Sequence, residues 1–310
     1  MTTINPQNSA KSNCTVGLIG LGAMGNGMAQ SLRRAGYSPS VFDIRADISA
    51  AFAKDGGTAC KTLAELGNSC DVIVSVVVNA AQTETVLFGN SGQDGCASSM
   101  KLGSVFVMCS TVDPNWSVAL EARLAALGIL YIDAPISGGA AKAASGQMTM
   151  MTAGKPEAYA IAEPFLNAMA AKVYKLGDSA GAGSKVKIIN QLLAGVHIAA
   201  AAEAMALGLR EGVDPDALYE VITNSAGNSW MFENRMAHVL AADYTPLSAV
   251  DIFVKDLGIV LDMARATKFP LPLSSTAHQM FMQASIAGFA KEDDSAVIKI
   301  FPGIELPKKK

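Results

Sequence analysis

The sequence predicts an α/β protein in which a doubly wound, mainly parallel sheet is followed by an all-α domain. Short β-branched runs alternate with Ala-rich helical stretches in the first half of the 310 residues. A G-x-G-x-x-G stands between the first predicted strand and the first predicted helix. Strand-like runs end near Gly181, and only long helical patterns follow. Such alternation is typical of βαβ units. We therefore expect a Rossmann-type domain at 14–178 and an all-helical domain at 179–310.

Seven segments of the first half are predicted strands because they are short and rich in β-branched and apolar residues. Several are apolar without interruption, as central parallel strands covered on both faces are. In chain order they are 15–20, 40–43, 72–76, 105–109, 129–133, 148–152 and 173–176. Helical patterns lie between them, near 24–35, 47–55, 80–88, 114–127 and 156–170.

The second half is predicted to be helical near 182–211, 214–225, 230–240, 248–267 and 273–288. Glycine and proline separate these stretches, beginning with Gly212 and Pro215. The stretch 192–209 is apolar over a membrane-spanning length, but it carries His197 and Glu203. Charged and polar side chains inside a span are costly, so we expect a buried core helix and no membrane association.

The composition excludes several classes of protein. Half of the residues are apolar and 16% are charged, so the chain can bury enough surface to outweigh its ordering entropy. The formal net charge of −3 argues against nucleic acid as a partner. The first 13 residues lack the apolar region of a signal peptide, which favours a cytoplasmic location. The five cysteines show no paired spacing, so we expect free, mostly buried thiols and no metal site.

The glycine motif predicts a dinucleotide site. It consists of Gly20, Leu21, Gly22, Ala23, Met24 and Gly25. The first glycine permits a tight turn, the second lets the backbone approach a pyrophosphate, and the third lets helix and strand pack closely. Asp43 ends the second predicted strand, where a carboxylate accepts hydrogen bonds from ribose hydroxyls and repels a 2′-phosphate. We therefore expect NAD as the cofactor, although Arg45 stands nearby and can accommodate a 2′-phosphate.

Lys187 is the candidate for moving a proton, because the common alternatives are absent. No tyrosine starts a Tyr-x-x-x-Lys pair, no zinc-type cluster of Cys and His occurs, and the three histidines lie in apolar helical patterns. On a helix Lys187 shares one face with Asn190 and Gln191, whereas Lys185 lies roughly 160° away. Burial lowers the pKa of an ammonium group toward that of a usable base. A surface lysine with a buried stem is the alternative interpretation.

Four motifs in order resemble the β-hydroxyacid dehydrogenases, the group that contains 3-hydroxyisobutyrate dehydrogenase and tartronate semialdehyde reductase. The glycine motif continues as in that family into Gly27-Met28-Ala29. The other three are similar to its substrate-binding, catalytic and C-terminal cofactor motifs, and comprise 133–139 (DAPISGG), 181–191 (GAGSKVKIINQ) and 255–257 (KDL).

This resemblance implies roles for individual residues. Lys187 would be the general acid/base, and the substrate would be a small hydroxy acid whose carboxylate is bound by Ser137, Gly138 and Gly139. Asn190 and Gln191 are joint candidates for the amide that contacts substrate. Cofactor contacts would come from Thr111 and Lys255, and from Val77 and Val78, which replace a Leu-Pro pair of the family. Asp256 is expected only to pair with Lys255.

Three segments of the helical half indicate which branch of the family the chain resembles. Segments 190–200, 226–235 and 291–301 resemble a branch of the family that acts on four-carbon sugar acids. A reductase of a three-carbon semialdehyde and a 3-hydroxyisobutyrate dehydrogenase are the alternatives. Asn228, Trp230 and Asn234 are either substrate-side residues or packing residues. Members of the family form dimers and tetramers, so a homodimer or a homotetramer is expected.

Overall fold

The computed structural model describes residues 14–90, 92 and 94–309. Within this part of the chain, nine strands form one sheet. They are β1 Val16–Ile19, β2 Ser40–Phe42, β3 Thr58–Ala59, β4 Val72–Ser75, β5 Val105–Met108, β6 Leu130–Asp133, β7 Ile136–Ser137, β8 Met148–Gly154 and β9 Ala170–Lys175. The helices between them are α1 Ala23–Arg34, α2 Ala46–Lys54, α3 Leu63–Ser69, α4 Ala80–Phe88, α5 Pro114–Ala125, α6 Gly139–Ser145 and α7 Pro156–Met169.

The strand order is β3-β2-β1-β4-β5-β6-β8-β7, and β9 pairs with β8. The strands from β3 to β6 are parallel, while β8 runs antiparallel to β6 and β7. The order 3-2-1-4-5-6 is that of the dinucleotide-binding doubly wound sheet, with its switch point between β1 and β4. The fold class predicted from the sequence is thus confirmed.

Apolar side chains cover both faces of the parallel strands. On β1, Leu18 belongs to the core on one face and Ile19 to the core on the other. On β4, Val74 and Ile73 divide in the same way. Successive side chains of a strand point to opposite faces, so a sheet that carries helices on both needs uninterrupted apolar strands.

Two short strands and two short helices have no counterpart in the sequence prediction. These are β3, β7, α3 and α6. Two-residue strands are too short to show alternation, and α6 begins in a Gly-Gly turn that masks its helical pattern. Strand β9 begins at Ala170, directly after α7 ends, whereas the sequence places it at 173–176.

The second half is helical in the described residues. It contains α8 Ala182–Arg210, α9 Pro215–Thr223, α10 Trp230–Leu240, α11 Val250–Ala266 and α12 Pro272–Ala284, then a π-turn at Ser285–Phe289 and a 3₁₀ segment at Asp294–Ile300. Its core includes Ile198 and Met205 of α8 together with Phe253 and Phe281, whose rings stack 5.1 Å apart. Alanine is the most frequent buried residue of this core, and Val, Ile and Leu supply most of the remainder.

The chain separates into two compact units, Met1–Lys187 and Ile188–Lys310, so the division falls inside α8. The boundary that we predict from the sequence, between 178 and 179, remains a prediction. In the described residues α8 is also the single helix long and apolar enough to cross a membrane, and half of its most apolar window is buried within the protein.

Candidate active site

The glycine turn after β1 leaves room for a ligand beside the start of α1. Gly20 has φ +89°, and a Cβ there would lie 2.6 Å from the Val76 carbonyl oxygen. A Cβ on Gly25 would lie 1.8 Å from the Gly20 oxygen, so the third glycine is required for packing. Among the described residues, no atom beyond Gly22 itself and its chain neighbours lies within 4 Å of the Cβ position of Gly22. The N-terminal amides of α1 have no partners within the helix, so this open position fits a pyrophosphate.

Asp43 lies beside this turn and is tied to it. Its Oδ2 accepts a hydrogen bond from the Leu21 amide at 2.7 Å, and its Oδ1 accepts from the Arg45 amide at 2.9 Å and from Arg45 Nε at 3.1 Å. Burial opposes ionisation of Asp43, but the hydrogen bonds from Arg45 and Leu21 outweigh it and lower the pKa of the carboxyl group. The group is therefore an anion at neutral pH, held at the carboxyl end of β2.

The loops after β4 and β5 are joined to each other. Ser110 Oγ donates a hydrogen bond to the Val77 carbonyl oxygen at 2.8 Å, and the Val78 amide donates to Gln82 Oε1 at 2.8 Å. Thr111 follows Ser110 directly and is half-buried. Val77 and Val78 follow β4, which neighbours β1, and Thr111 follows β5, which neighbours β4. All three thus lie at the carboxyl edge of the sheet, where dinucleotides bind in this fold.

The Ser-Gly-Gly segment forms the turn between β7 and α6. Ser137 ends β7, and Gly138 and Gly139 have φ values of +135° and +74°, which favour glycine. The stem of Lys142 covers Gly138, with its Cβ 2.9 Å from the Cβ position of that glycine. The turn presents backbone amides and one hydroxyl, which are groups that bind carboxylates.

Helix α6 is packed closely against α1. A Cβ on Gly27 would lie 2.6 Å from the Ala144 nitrogen and 2.7 Å from the Ala143 carbonyl carbon. Ser31 Oγ donates a hydrogen bond to the Ala143 carbonyl oxygen at 3.1 Å. The helix that begins at the glycine turn therefore also supports the helix that begins at the Ser-Gly-Gly turn.

Asp133 anchors the start of α8 to the end of β6. Its Oδ2 accepts hydrogen bonds from the amides of Gly181 and Ser184, both at 2.9 Å, and its Oδ1 accepts from Ser184 Oγ at 2.7 Å. Burial raises the pKa of this carboxyl group, and the hydrogen bonds from Ser184 and Gly181 oppose that rise. Since Asp133 is fully buried, these three donors are what makes its burial tolerable.

Lys187 lies about one turn after Ser184 and is buried, with 7% of its surface exposed. Gln191, one turn further along α8, is 8% exposed, whereas Asn190 is half-buried and Lys185 is exposed. The helix face that carries Lys187, Asn190 and Gln191 is therefore less exposed than the side of α8 that carries Lys185. An ammonium group in such surroundings is a candidate acid/base.

The two amides of this face are connected to α11. Gln191 Nε2 donates a hydrogen bond to Asp256 Oδ2 at 2.5 Å, and Asn190 Nδ2 donates to Gln191 Oε1 at 3.1 Å. Lys255 Nζ lies 2.7 Å from Asp256 Oδ1. The expected pair of Lys255 and Asp256 is present, and the contact with Gln191 is additional.

Three further candidates lie around α10. Asn228 Nδ2 donates to the Thr223 carbonyl oxygen at 3.1 Å, and Trp230 is 52% exposed. Trp230 and Asn234 line an open cavity of about 340 Å³. Phe232, in contrast, is buried in the helical core. Trp230 is therefore no core residue.

Among the residues described, no cluster of three or more His, Cys, Asp or Glu side chains is arranged to hold a metal ion. Four of the five cysteines are buried thiols, as the sequence predicts.

Sequence reasoning missed three features of this region: the anchoring role of Asp133, the close approach at Gly27, and the hydrogen bond from Gln191 to Asp256. For Asp133 a signal was present, since a carboxylate at the end of a buried strand needs donors close by. The other two depend on which helices pack together, which no local pattern shows.

Two family models match the chain. One describes the NAD binding domain of 6-phosphogluconate dehydrogenase and matches residues 15–177. The other describes the NAD-binding region of NADP-dependent 3-hydroxyisobutyrate dehydrogenase and matches residues 181–301. Together they cover most of both compact units, and they indicate a nicotinamide dinucleotide as the cofactor.

Individual proteins are similar over nearly the whole length. L-threonate dehydrogenase of Cupriavidus necator is 67% identical over 294 residues, which are 95% of this chain and 98% of that protein. Mitochondrial 3-hydroxyisobutyrate dehydrogenase of Mus musculus is 33% identical over 298 residues, covering 94% and 88%. A crystal structure described as 3-hydroxyisobutyrate dehydrogenase from Salmonella typhimurium has a TM-score of 0.88 and 53% identity, covering 93% of this chain and 100% of that one.

The anchor at Asp133 is testable by substitution. In Asp133→Ala the buried amides of Gly181 and Ser184 and the Ser184 hydroxyl all lose this acceptor. We expect the free energy of unfolding to fall by roughly 2–3 kcal/mol. Hydrogen exchange at the amides of Gly181 and Ser184 should accelerate accordingly.

The matched control is Asp113→Ala, at the half-buried start of α5, where the carboxylate accepts from the Asn115 and Trp116 amides. Replacing an N-cap aspartate by alanine costs about 1 kcal/mol, so stability should fall clearly less than in Asp133→Ala. Equal losses in the two variants would contradict the anchoring role of Asp133.

Proposed function

Because the chain belongs to the 3-hydroxyisobutyrate dehydrogenase-related family of β-hydroxyacid dehydrogenases, we propose that it oxidises L-threonate at carbon 2 with NAD. The product would be 2-dehydro-L-erythronate, in the catabolism of four-carbon sugar acids. That the chain is an NAD(P)-dependent oxidoreductase follows from its family. The substrate is supported by the 67% identity to an L-threonate dehydrogenase.

The observation that carries the proposed chemistry is the buried Lys187, one helical turn from the buried Gln191. Oxidation of a secondary alcohol needs a group that takes the hydroxyl proton. Burial and a positively charged nicotinamide ring both favour the neutral amine, which is the form that accepts a proton. Lys187 would take that proton from the hydroxyl group at carbon 2, with Asn190 or Gln191 orienting the substrate.

The remaining site residues would bind and orient. Ser137 and the amides of Gly138 and Gly139 would hold the substrate carboxylate, since a positive-φ turn directs backbone N–H groups toward an anion. The open position at Gly22 and the first amides of α1 would hold the pyrophosphate of the dinucleotide. When bound, the nicotinamide ring supplies the hydride acceptor. Val77, Val78, Thr111 and Lys255 are the further proposed cofactor contacts.

We propose NAD rather than NADP as the preferred dinucleotide. Asp43 is an anion with a lowered pKa beside the glycine turn, and a carboxylate there accepts bonds from ribose hydroxyls. Arg45 is ion-paired with that carboxylate at 3.1 Å, so a 2′-phosphate that Arg45 bound would also lie close to the negative charge of Asp43.

Two alternatives belong to the same family: reduction of 2-hydroxy-3-oxopropionate and oxidation of 3-hydroxyisobutyrate. The second is favoured by the 53% identity to the Salmonella typhimurium structure. We also propose a homodimer or homotetramer in the cytoplasm, built of domains 14–178 and 179–310. Large exposed apolar side chains in the helical half support self-association, including Leu207, Phe269, Leu273 and Ile286.

Asp43 should determine the choice of dinucleotide. Asp43→Asn removes the negative charge, so the ratio of kcat/KM with NADP to that with NAD should rise roughly tenfold. Steady-state rates with both cofactors measure this ratio. Asp47→Asn, on the exposed start of the neighbouring α2, should leave it unchanged. Equal use of both dinucleotides by the unaltered protein would refute the preference.

Lys187 should be required for turnover but not for dinucleotide binding. Lys187→Met keeps the length of the side chain and removes the base, so kcat should fall by a factor of about 10²–10⁴. NADH affinity, followed by fluorescence, should change little. Lys185→Met alters a lysine of the same helix that is exposed, and it should retain full activity. Turnover near that of the unaltered protein in Lys187→Met would remove Lys187 from the mechanism.

A panel of hydroxy acids tests the substrate. L-threonate, 3-hydroxyisobutyrate and D-glycerate, the reduced partner of the three-carbon semialdehyde, are compared by kcat/KM with NAD. We expect L-threonate to exceed the others by at least about tenfold. A higher value for either competitor would replace the proposed substrate while leaving the reaction type in place.

A further inference from the structure

The buried carboxylate of Asp256 contacts two side chains for which we propose different roles. Asp256 lies on α11 and is 1% exposed. Its Oδ1 is 2.7 Å from Lys255 Nζ, and its Oδ2 accepts the 2.5 Å hydrogen bond from Gln191 Nε2, 65 residues away in the chain. The sequence motif by itself accounts only for the contact with Lys255.

The charge of Asp256 determines which way the Gln191 amide points. A carboxylate only accepts hydrogen bonds, so the NH₂ end of the amide must face it. The Oε1 end is then directed to Asn190, whose Nδ2 donates to it at 3.1 Å. The oxygen and the nitrogen of an amide are nearly equal in size, so packing alone does not select between the two orientations. The orientation of Gln191, and through it that of Asn190, thus depends on Asp256.

We propose that Asp256 is a positioning residue that sets the Gln191 amide and the Lys255 ammonium group together. This inference rests on the proposed function, in which Gln191 or its neighbour Asn190 contacts the hydroxy acid and Lys255 contacts the dinucleotide. Loss of the carboxylate then weakens the binding of both ligands, because each of the two side chains is released from a fixed position. The proton transfer itself is assigned to Lys187 and not to Asp256.

Asp256→Asn tests the proposal with little change in side-chain volume. Asparagine has one acceptor oxygen where aspartate has two. If that oxygen accepts from Gln191, the asparagine NH₂ group faces the Lys255 ammonium group. If the oxygen faces Lys255, the asparagine NH₂ group faces the NH₂ group of Gln191. We expect the Kd for NADH and the KM for the hydroxy acid each to rise about tenfold, with kcat falling less than about threefold. NADH fluorescence titration and steady-state rates provide the three values.

Asp294→Asn is the matched control for loss of a buried carboxylate. Asp294 is fully buried in the same compact unit and is ion-paired with Arg235, with its Oδ2 accepting from Nη2 at 3.1 Å. Both variants should lower the melting temperature, because each removes a buried carboxylate that is ion-paired, with the half-buried Lys255 in one case and the buried Arg235 in the other. Only Asp256→Asn should change the two ligand constants. Equal changes in the control, or unchanged constants in Asp256→Asn, would overturn the proposal.

A double-mutant cycle separates positioning from a general disturbance. In a Gln191→Met background, Asp256→Asn should raise the KM for the hydroxy acid by a further factor of less than about two. In a Lys255→Met background, Asp256→Asn should raise the Kd of NADH by a further factor of less than about two. Additive effects in both cycles would contradict the shared role. If Asp256→Asn does not fold, Asp256→Glu replaces it, since a displaced charge should shift both constants in the same direction.

These experiments distinguish failure of the positioning role of Asp256 from failure of the proposal that L-threonate is the substrate. The KM is measured with whichever acid of the panel the unaltered protein oxidises best, so the cycle does not require L-threonate. The NADH titration needs no turnover at all. A protein that binds NADH normally with Asp256→Asn overturns the positioning role even if the substrate assignment holds.

Discussion

The carboxylate of Asp133 is the interaction on which the rest of the candidate site depends. It ends a central strand and receives three hydrogen bonds from the first turn of α8. A fully buried carboxylate without such donors would cost several kcal/mol, so the strand end and the helix start must stay together. Lys187 follows within one turn, and its place relative to the sheet is therefore set by a residue 54 positions earlier in the chain.

Helix α1 packs against two further parts of the candidate site, the glycine turn and α6. At its first turn Gly25 packs against the Gly20 carbonyl, and at Gly27 it meets the backbone of α6. Neither position tolerates a Cβ without displacement of backbone atoms. The proposed pyrophosphate turn and the proposed carboxylate turn are thus attached to one helix. Preorganised amides of this kind bind anions without an ordering cost at the time of binding.

Much of the fold follows from local patterns. The parallel strands are apolar without interruption because both faces are covered, and the helical half repeats its apolar residues at helical spacing. The prediction fails where elements are too short to show a period, as at Thr58–Ala59 and Ile136–Ser137, or where glycine conceals a helix, as at Gly139–Ser145. These are elements whose hydrogen bonds or packing come from distant residues.

Local residue patterns predict the strands of three or more residues, the longer helices, the glycine turn, the acidic residue at the end of β2 and the helical face that carries Lys187. Each of these depends on neighbours within about one helical turn or one strand, so residue spacing reveals it. The contacts of Asp133 with the start of α8 and of Asp256 with Gln191 become visible only in the three-dimensional packing. Those contacts join residues 51 and 65 positions apart. They arise because a buried carboxylate binds whichever donors the packing brings within reach, and local periodicity contains no information about which donors those are.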